Sequence, residues 1–379
     1  MYSIYSNDFY GVHINVPIYD MNEQMYKQFK CLVDTLSYIT WIPSTQLDIH
    51  EESMHQQLMP YHVRGYSNIK LLSGEISGNF YFTNINLTNY IITSQLILLI
   101  NKLNIPEYTT APFDGVLGIS KYHHLLHLRN SNISLLENII NQHKPPFIIL
   151  KLGGNNPYIK FGEISDNDLP FIRTVSSRKF MFLQSKTYTQ LNINKIKEQI
   201  IWINLYEEGL FTIPLYSVTL LYRDLLGKVV KRELIIDNCM QYGCKAMLNT
   251  KSFFIYGPYD DVSKFNKLKR KYCDVKQFNM LPDIEFGFVD VNVNRNKKLS
   301  NRIVKLILEP KDYMIDNNNN DDNNNDEYIN TTEEGCVPGF IATDSNFEWN
   351  FGVLFLSKFL ISYDIEKERI GFVRISEDT

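Results

Sequence analysis

The sequence predicts an all-β protein with two similar lobes, and three observations carry that prediction. Short runs rich in Ile, Val, Tyr, Phe and Thr recur between turn residues, as is typical of many short strands. A weak internal repeat relates the two halves of the chain. The 379 residues, of which 44% are hydrophobic and 13% aromatic, are enough for two cores of ordinary domain size.

Strand-like runs dominate the chain, and a few helical stretches interrupt them. The clearest strand-like runs span 10–16, 78–87, 147–152, 215–222 and 368–375. Leucine and isoleucine recur at helical spacing within 131–143. We also expect a basic surface helix over 261–271 and a short buried helix over 353–359.

Two stretches fit neither pattern. Residues 316–326 are almost entirely Asn and Asp, so they cannot bury apolar surface, and we expect a disordered loop there. Residues 186–199 have the character of an insertion.

The internal repeat is the main clue to organisation. Residues 32–37 read LVDTLS and residues 247–252 read MLNTKS, so each has an apolar strand end, then Asp or Asn, then Thr. Each motif is followed downstream by an apolar segment that closes in glycine, at Gly118 and at Gly352. Two such halves predict a pseudo-twofold axis with a site between the lobes.

Composition argues against several classes of function. The formal net charge of -4 does not favour a nucleic-acid or membrane-surface partner. No apolar run reaches transmembrane length. The chain starts with polar residues and shows no signal peptide, which indicates either a cytosolic protein or a leader absent from this sequence.

Five cysteines are present, and none forms a C-x-x-C pair. The close pair Cys239 and Cys244 has no histidine beside it, which argues against zinc. His123 and His127 would share a helix face, but no third ligand follows, so ordinary surface histidines are favoured over a metal site. We expect no metal and no cofactor.

Segments in a consistent order resemble the pepsin-like (A1) aspartic proteases. The stretch from Asp34 to Ser44, with Trp41 at the right distance, is similar to the family's D-T-G-S-S-x-L-W-V-P-S. Further similar segments are APFDGVLG at 111–118, GCKAMLNT at 243–250, LPDIEF at 281–286, WNFGVLFL at 349–356 and RIGF at 369–372. The resemblance spans nearly the whole chain. It implies an all-β, bilobal acid protease fold with a long cleft between lobes 1–165 and 166–379.

The resemblance also implies a catalytic pair, and here the pair is incomplete. The family needs two carboxylates that share one proton, because like charges at short range cannot both ionise. Asp34 takes the first position, but Asn249 takes the second, and an amide cannot exchange a proton in this pH range. We therefore expect a degenerate, catalytically inactive member of the family.

Three further departures fall around the implied cleft. Leu36 and Lys251 replace the glycine of each motif. Lys251 either forms an ion pair with Asp34 or points into solvent, and the sequence leaves both open. In the segment resembling the flap hairpin, Gly74 matches a family glycine while Leu71 stands where the flap tyrosine belongs. An alternative register, with Tyr66 as that tyrosine, breaks the match at the glycines.

Other implied features are retained. Thr35 and Thr250 match the threonines that lock the two motif loops together, and Ser37 matches the residue that hydrogen-bonds the first Asp, with Ser252 in the second motif. The resemblance implies the disulfides Cys239–Cys244 and Cys273–Cys336 and leaves Cys31 free and buried. A disulfide framework indicates an oxidising compartment, so we expect a secretory, extracellular or vacuolar protein whose leader is not in this chain.

The functional prediction is a homologue without catalysis that binds a peptide or protein ligand in its cleft as a monomer. The alternative is a weakly or unusually active endopeptidase that uses Asp34. Sequons at Asn86, Asn132 and Asn330 allow glycosylation in the secretory route.

Overall fold

A computed structural model describes most of both halves of the chain. The described residues are 12–45, 47, 65–71, 74–87, 90–105, 108, 113–121, 134–153, 157–164, 200–206, 211–224, 226–236, 239, 243–271, 273, 278–289, 303–316, 335–345 and 347–375. Strands dominate them, which confirms the all-β prediction.

The first half forms a seven-stranded sheet. Its strands are β1 (His13–Asp20), β2 (Met25–Asp34), β3 (Trp41–Pro43), β4 (Tyr66–Leu71), β5 (Gly74–Leu87), β6 (Tyr90–Asn104) and β7 (Gly115–Gly118). Their order is β1-β2-β7-β3-β6-β5-β4, and β1 also pairs with β5 between Ile18 and Ile85, so the sheet curls back on itself.

The helix predicted within 131–143 is present as α1 (Leu135–His143). The Ser134 hydroxyl caps its N-terminus by accepting the Glu137 amide at 3.2 Å. Lys144, in the left-handed conformation with φ 47°, ends it. Its apolar face packs Leu135, Leu136 and Ile139 into the core.

The second half forms an eight-stranded sheet. Its strands are β11 (Thr212–Arg223), β12 (Val229–Ile236), β13 (Cys244–Leu248), β14 (Ile255–Pro258), β15 (Asp283–Val289), β16 (Ile303–Leu308), β19 (Phe340–Thr343) and β20 (Glu348–Phe351). Their order is β16-β15-β11-β13-β20-β14-β19, with β12 paired to β11. A separate two-stranded sheet of β17 (Met314–Asp316) and β18 (Cys336–Pro338) is formed by the part of the chain between β16 and β19.

A five-stranded sheet draws on both halves. It contains β8 (Phe147–Lys151) and β9 (Tyr158–Phe161) from the first half, and β10 (Ile201–Asn204), β21 (Phe359–Asp364) and β22 (Arg369–Arg374) from the second. The order β10-β22-β21-β8-β9 places β21 of the second half directly against β8 of the first. This shared sheet joins the two lobes of the bilobal fold.

The sheets repeat one arrangement in each half. In the first, β2 is parallel to β7, β7 is antiparallel to β3, and β3 is parallel to β6. In the second, β13 is parallel to β20, β20 is antiparallel to β14, and β14 is parallel to β19. The repeat seen in the sequence is therefore a repeat of strand order and direction.

Some elements differ from the predictions. The helix expected over 261–271 is a single α-helical turn, α2 (Tyr259–Val262), followed by a 3₁₀ helix (Ser263–Leu268). It is not only a surface element, because Phe265 and Leu268 are buried in the core. The buried helix expected over 353–359 is present as α4 (Val353–Leu356), but it ends at Leu356, and Phe359 already belongs to β21. Another short helix, α3 (Pro310–Tyr313), was not predicted.

Two disulfides lie in the second half, Cys239–Cys244 and Cys273–Cys336. Both match the pairs that the resemblance implied. Cys31 is unpaired and fully buried in β2. None of the helices in the described ranges is long and apolar enough to span a membrane.

Several predicted features lie outside the described residues. These are the lobe boundary at 165/166, the insertion at 186–199, most of the Asn/Asp-rich stretch 316–326, His123 and His127, and the sequons at Asn132 and Asn330. Asn86 is described, near the end of β5.

Candidate active site

Asp34 ends β2, and its carboxylate is almost fully buried, with 4% of the residue exposed. Its Oδ1 accepts the backbone amides of Leu36 at 2.8 Å and Ser37 at 3.2 Å. These two bonds fix the carboxylate against the turn that follows the strand. The predicted contact between Ser37 and Asp34 is thus made by the main chain, since the Ser37 hydroxyl bonds the backbone of Ile39 instead.

Asn249 occupies the equivalent place after β13. It is also 4% exposed, and its Oδ1 accepts the Lys251 amide at 3.1 Å. Asp34 and Asn249 therefore make the same turn, in which a side-chain oxygen accepts the amide two residues on. The two motifs match in local structure, and they differ in that one carries a carboxylate and the other an amide.

Thr35 and Thr250 tie the two motifs to each other by reciprocal hydrogen bonds. The Thr35 hydroxyl donates to the Leu248 carbonyl at 2.5 Å, and the Thr250 hydroxyl donates to the Val33 carbonyl at 2.6 Å. Each backbone amide in turn donates to the other threonine's Oγ1 at 3.2 Å. Both side chains are fully buried, so this exchange holds the ends of β2 and β13 side by side.

Lys251 reaches across to the first motif. Its Nζ lies 3.3 Å from Asp34 Oδ2, the carboxylate oxygen that the backbone amides leave unused. The Lys251 side chain is 38% exposed, while that of Asp34 is 6% exposed. Of the two alternatives that the sequence left open, the structure has the ion pair.

Gly118 ends β7 and Gly352 directly follows β20, and each glycine packs against a motif loop. A Cβ on Gly118 would lie 2.6 Å from the Ile39 carbonyl oxygen and 2.8 Å from that of Ser37. A Cβ on Gly352 would lie 2.3 to 2.6 Å from three carbonyl oxygens, of Ser252, Phe253 and Phe254. Ser37 and Ser252 thus hold corresponding places, and each loop packs backbone to backbone on its glycine.

The hairpin of β4 and β5 contains the segment that resembles the flap. Leu71 pairs with Gly74 beside the turn, whereas Tyr66 pairs with Asn79 at the far end of the hairpin and is exposed. Gly74 has φ +154°, and a Cβ there would meet the Asn104 carbonyl oxygen at 2.0 Å, so this position requires glycine. Trp41 is buried at the start of β3, with its ring 5.7 Å from that of Tyr108.

Sequence comparison decides the family. The profile of eukaryotic aspartyl proteases matches residues 24–147 and 185–375, which is more than half of the chain. The chain belongs to the eukaryotic aspartyl protease family.

The chain is also similar to plasmepsin VII of Plasmodium falciparum (isolate NF54). It is 27% identical over 199 residues, an alignment that covers 48% of this chain and 40% of the plasmepsin. The aligned part of this aspartyl protease homologue therefore spans less than half the length of that relative.

Sequence reasoning missed three residues that support the site of this aspartyl protease homologue. The Thr40 hydroxyl accepts the Gly118 amide at 3.2 Å, and the buried Asp114 accepts the Lys30 amide at 2.7 Å through Oδ2. Lys121, which follows β7, forms a 2.5 Å ion pair with Glu368 of the second half. Asp114 lies within the segment APFDGVLG, which was the available signal, whereas single residues such as Thr40 and Lys121 carry none.

Proposed function

We propose that this protein is a pepsin-like aspartyl protease homologue that keeps a peptide-binding cleft and lacks peptidase activity. The observation that carries the proposal is the pair of motif positions. One holds Asp34 in an ion pair with Lys251, and the other holds the amide Asn249.

The reaction of an aspartic protease needs one ionised and one protonated carboxyl group. The ionised group takes a proton from water, and the protonated group donates to the developing oxyanion. Asn249 cannot exchange a proton, and Lys251 occupies the free oxygen of Asp34. Since a general acid or base contributes ~10²–10⁴-fold to the rate, loss of one partner should remove at least that much.

The surrounding architecture supports a retained binding role. The buried threonine exchange between Thr35 and Thr250 and the glycine contacts at Gly118 and Gly352 hold both motif loops in place. In the proposed cleft these groups would hold the two loops without taking part in proton transfer. Intact support around an incomplete catalytic pair favours a binding role over catalysis.

The deciding experiment is cleavage of an unfolded protein substrate at acidic pH by the full chain. We expect no turnover above the background of Asp34→Ala. The triple variant Leu36→Gly, Asn249→Asp, Lys251→Gly restores both motifs, and we expect it to gain activity that a pepstatin-type inhibitor blocks. Turnover by the natural chain that is abolished both by Asp34→Ala and by the inhibitor would overturn the proposal that the protein lacks peptidase activity.

A second candidate is a weakly active endopeptidase that uses Asp34. Its support is that Asp34 keeps the backbone hydrogen bonds of the motif and has an ammonium group at 3.3 Å that could stabilise an oxyanion. The cleavage assay separates the candidates, because only this one predicts that Lys251→Met lowers a measurable turnover.

We further propose that the lobes span 1–165 and 166–379 and that the protein acts as a monomer. Leu71 is the proposed flap residue. The two disulfides and the family support an oxidising compartment, that is, the secretory route or a vacuole.

A further inference from the structure

The hydrogen-bonding groups at the centre of the two motifs are divided unevenly between donors and acceptors. Both carboxylate oxygens of Asp34 are engaged, Oδ1 by the amides of Leu36 and Ser37 and Oδ2 by the Lys251 ammonium. Asn249 Oδ1 is engaged by the Lys251 amide. The acceptor oxygens of these two side chains are therefore in use.

Donors, by contrast, remain available at the same place. The Lys251 ammonium has three N–H groups and contacts only Asp34 among the described residues. Because Asn249 Oδ1 faces the Lys251 amide, its Nδ2 points the other way, and no hydrogen bond from this group reaches any described atom. Asn249 is 4% exposed as a whole, and its Nδ2 is not among the side-chain atoms that are both buried and unpartnered, so this NH₂ group is accessible to a ligand that can accept from it.

Charge acts in the same direction. Asp34 and Lys251 cancel each other, so an anion approaching this centre does not meet the net negative charge that a pair of aspartates would present. A carboxylate has two oxygens that can accept from two separate donors, and hydrogen bonds to it from an ammonium group are charge-assisted.

We propose that the centre of the cleft is a donor site for a carboxylate, and that Lys251 and Asn249 select peptides carrying one at that point. The ligand class is thus an acidic peptide, either with an Asp or Glu side chain or with a free C-terminal carboxylate. This inference rests on the proposed peptide-binding function and adds the chemistry of the ligand to it.

The test uses the full natural chain and synthetic peptides with identical apolar flanks, blocked at both ends, whose central residue is Glu, Gln or Lys. Binding is measured by calorimetry. We expect the Glu peptide to bind about ten-fold tighter than the Gln peptide, and the Lys peptide to bind weakest. Two further peptides end after the central Gln, one with a free and one with an amidated C-terminus, and their comparison distinguishes a terminal carboxylate from a side-chain one.

Two variants test the assignment to residues. Lys251→Met should remove the preference for Glu and shift it towards Lys, because the buried Asp34 then lacks its cation. Asn249→Ala should weaken binding of the Glu peptide and leave the Lys peptide unaffected. The matched control is Lys231→Met, the same substitution at an exposed lysine of β12, which should leave all three affinities unchanged.

The outcomes separate this inference from the function it rests on. Equal binding of the Glu, Gln and Lys peptides by the natural chain would overturn the donor site while leaving a peptide-binding cleft intact. Failure of every peptide to bind the natural chain would remove the peptide-binding function, and the inference with it. Since the first comparison uses the natural chain alone, it does not depend on whether any variant folds.

Discussion

At the scale of single residues, two threonines hold the motif loops in place although neither takes part in proton transfer. Thr35 and Thr250 each fill the other's hydrogen-bonding needs, so neither hydroxyl and neither amide is left unpaired in a buried position. Removal of one hydroxyl leaves a carbonyl and an amide of the opposite motif without partners, which costs more than the bond itself.

Thr250→Val should therefore lower the free energy of unfolding by about 1–3 kcal/mol, and so should Thr35→Val. The double variant should cost less than the sum of the two, since the two hydroxyls also contact each other, with Oγ1 atoms 3.4 Å apart, and each single variant already removes that contact. Urea unfolding of the natural chain and the three variants gives the coupling. Strictly additive losses would show that the two hydroxyls act independently.

His13 provides a prediction for acidic pH. Burial lowers the pKa of His13 from 6.5 to about 4, and the nearby Lys30 charge adds to the effect. As the pH falls, His13 is therefore protonated at a higher pH in the unfolded chain than in the folded protein. Its contribution to stability is complete above pH 6.5 and is lost progressively as the pH falls towards 4.

The loss should approach about 3 kcal/mol at the acidic end of that window. His13→Gln, which does not titrate, should show a shallower fall in the free energy of unfolding between pH 6.5 and pH 4. Urea unfolding at several pH values measures this slope. A variant with the same slope as the natural chain would exclude His13 as the group responsible.

The sequence could not predict the direction of the Lys251 side chain. The sequence placed a lysine where the motif glycine belongs, but two directions of its side chain were open. That direction depends on the neighbouring Asp34 Oδ2, which lies on a strand more than two hundred positions earlier in the chain. The ligand chemistry inferred here follows from that contact and not from the pattern of residues.

At the scale of elements, the parallel pairs β2–β7 and β13–β20 carry both motif loops. Each pair ends on a glycine that touches the carbonyl oxygens of the loop, so the approach leaves no space for a methyl group. Because the contacts are with backbone atoms, the neighbours cannot turn aside as a flexible side chain would.

Gly118→Ala and Gly352→Ala should each destabilise the protein by about 2–3 kcal/mol or more. Gly243→Ala is the control, since a Cβ there meets nothing within 4 Å and the only cost is its left-handed backbone with φ +75°. Thermal unfolding compares the three variants. A Gly118 or Gly352 variant as stable as the Gly243 variant would show that the loops can move away.

Elements were predictable where local pattern and tertiary packing agree. The run expected over 215–222 is the middle of β11 (Thr212–Arg223), and the helix within 131–143 exists as α1. The basic stretch 261–271 was expected as one helix, yet only Tyr259–Val262 is α-helical. There the burial of Phe265 and Leu268 in the core determines the backbone path, and the basic composition of the stretch does not predict that burial.

At the scale of the whole molecule, the order of the motifs predicted the family and the fold. Each of the six matches is weak alone, but six of them in the family's order are not expected by chance. The same reasoning could not provide the ion pair of Lys121 with Glu368, whose partners lie in different halves. Contacts of that kind depend on how the lobes meet, which a motif does not encode.

The disulfide Cys273–Cys336 closes a loop with a sequence separation of 63 residues that includes the Asn/Asp-rich stretch. In the chain-entropy account, a loop of that size restricts the unfolded state by ~4 kcal/mol. Replacing both cysteines with alanine should lower stability by about that amount, and replacing Cys239 and Cys244 should lower it by ~2 kcal/mol. Urea unfolding under non-reducing conditions compares them, and an equal loss for both pairs would contradict the entropic account.

The five-stranded sheet has a consequence for how the protein is made. Strand β22 lies between β10 and β21, and β21 pairs with β8. The edge of β8 that pairs with β21 therefore has no partner until residues 359–374 have left the ribosome. During synthesis β8 can therefore pair with β9 on one side only, and its other edge is open to pairing with the wrong strand. Biogenesis of this protein should depend on chaperones that shield that strand until translation reaches the last part of the second lobe.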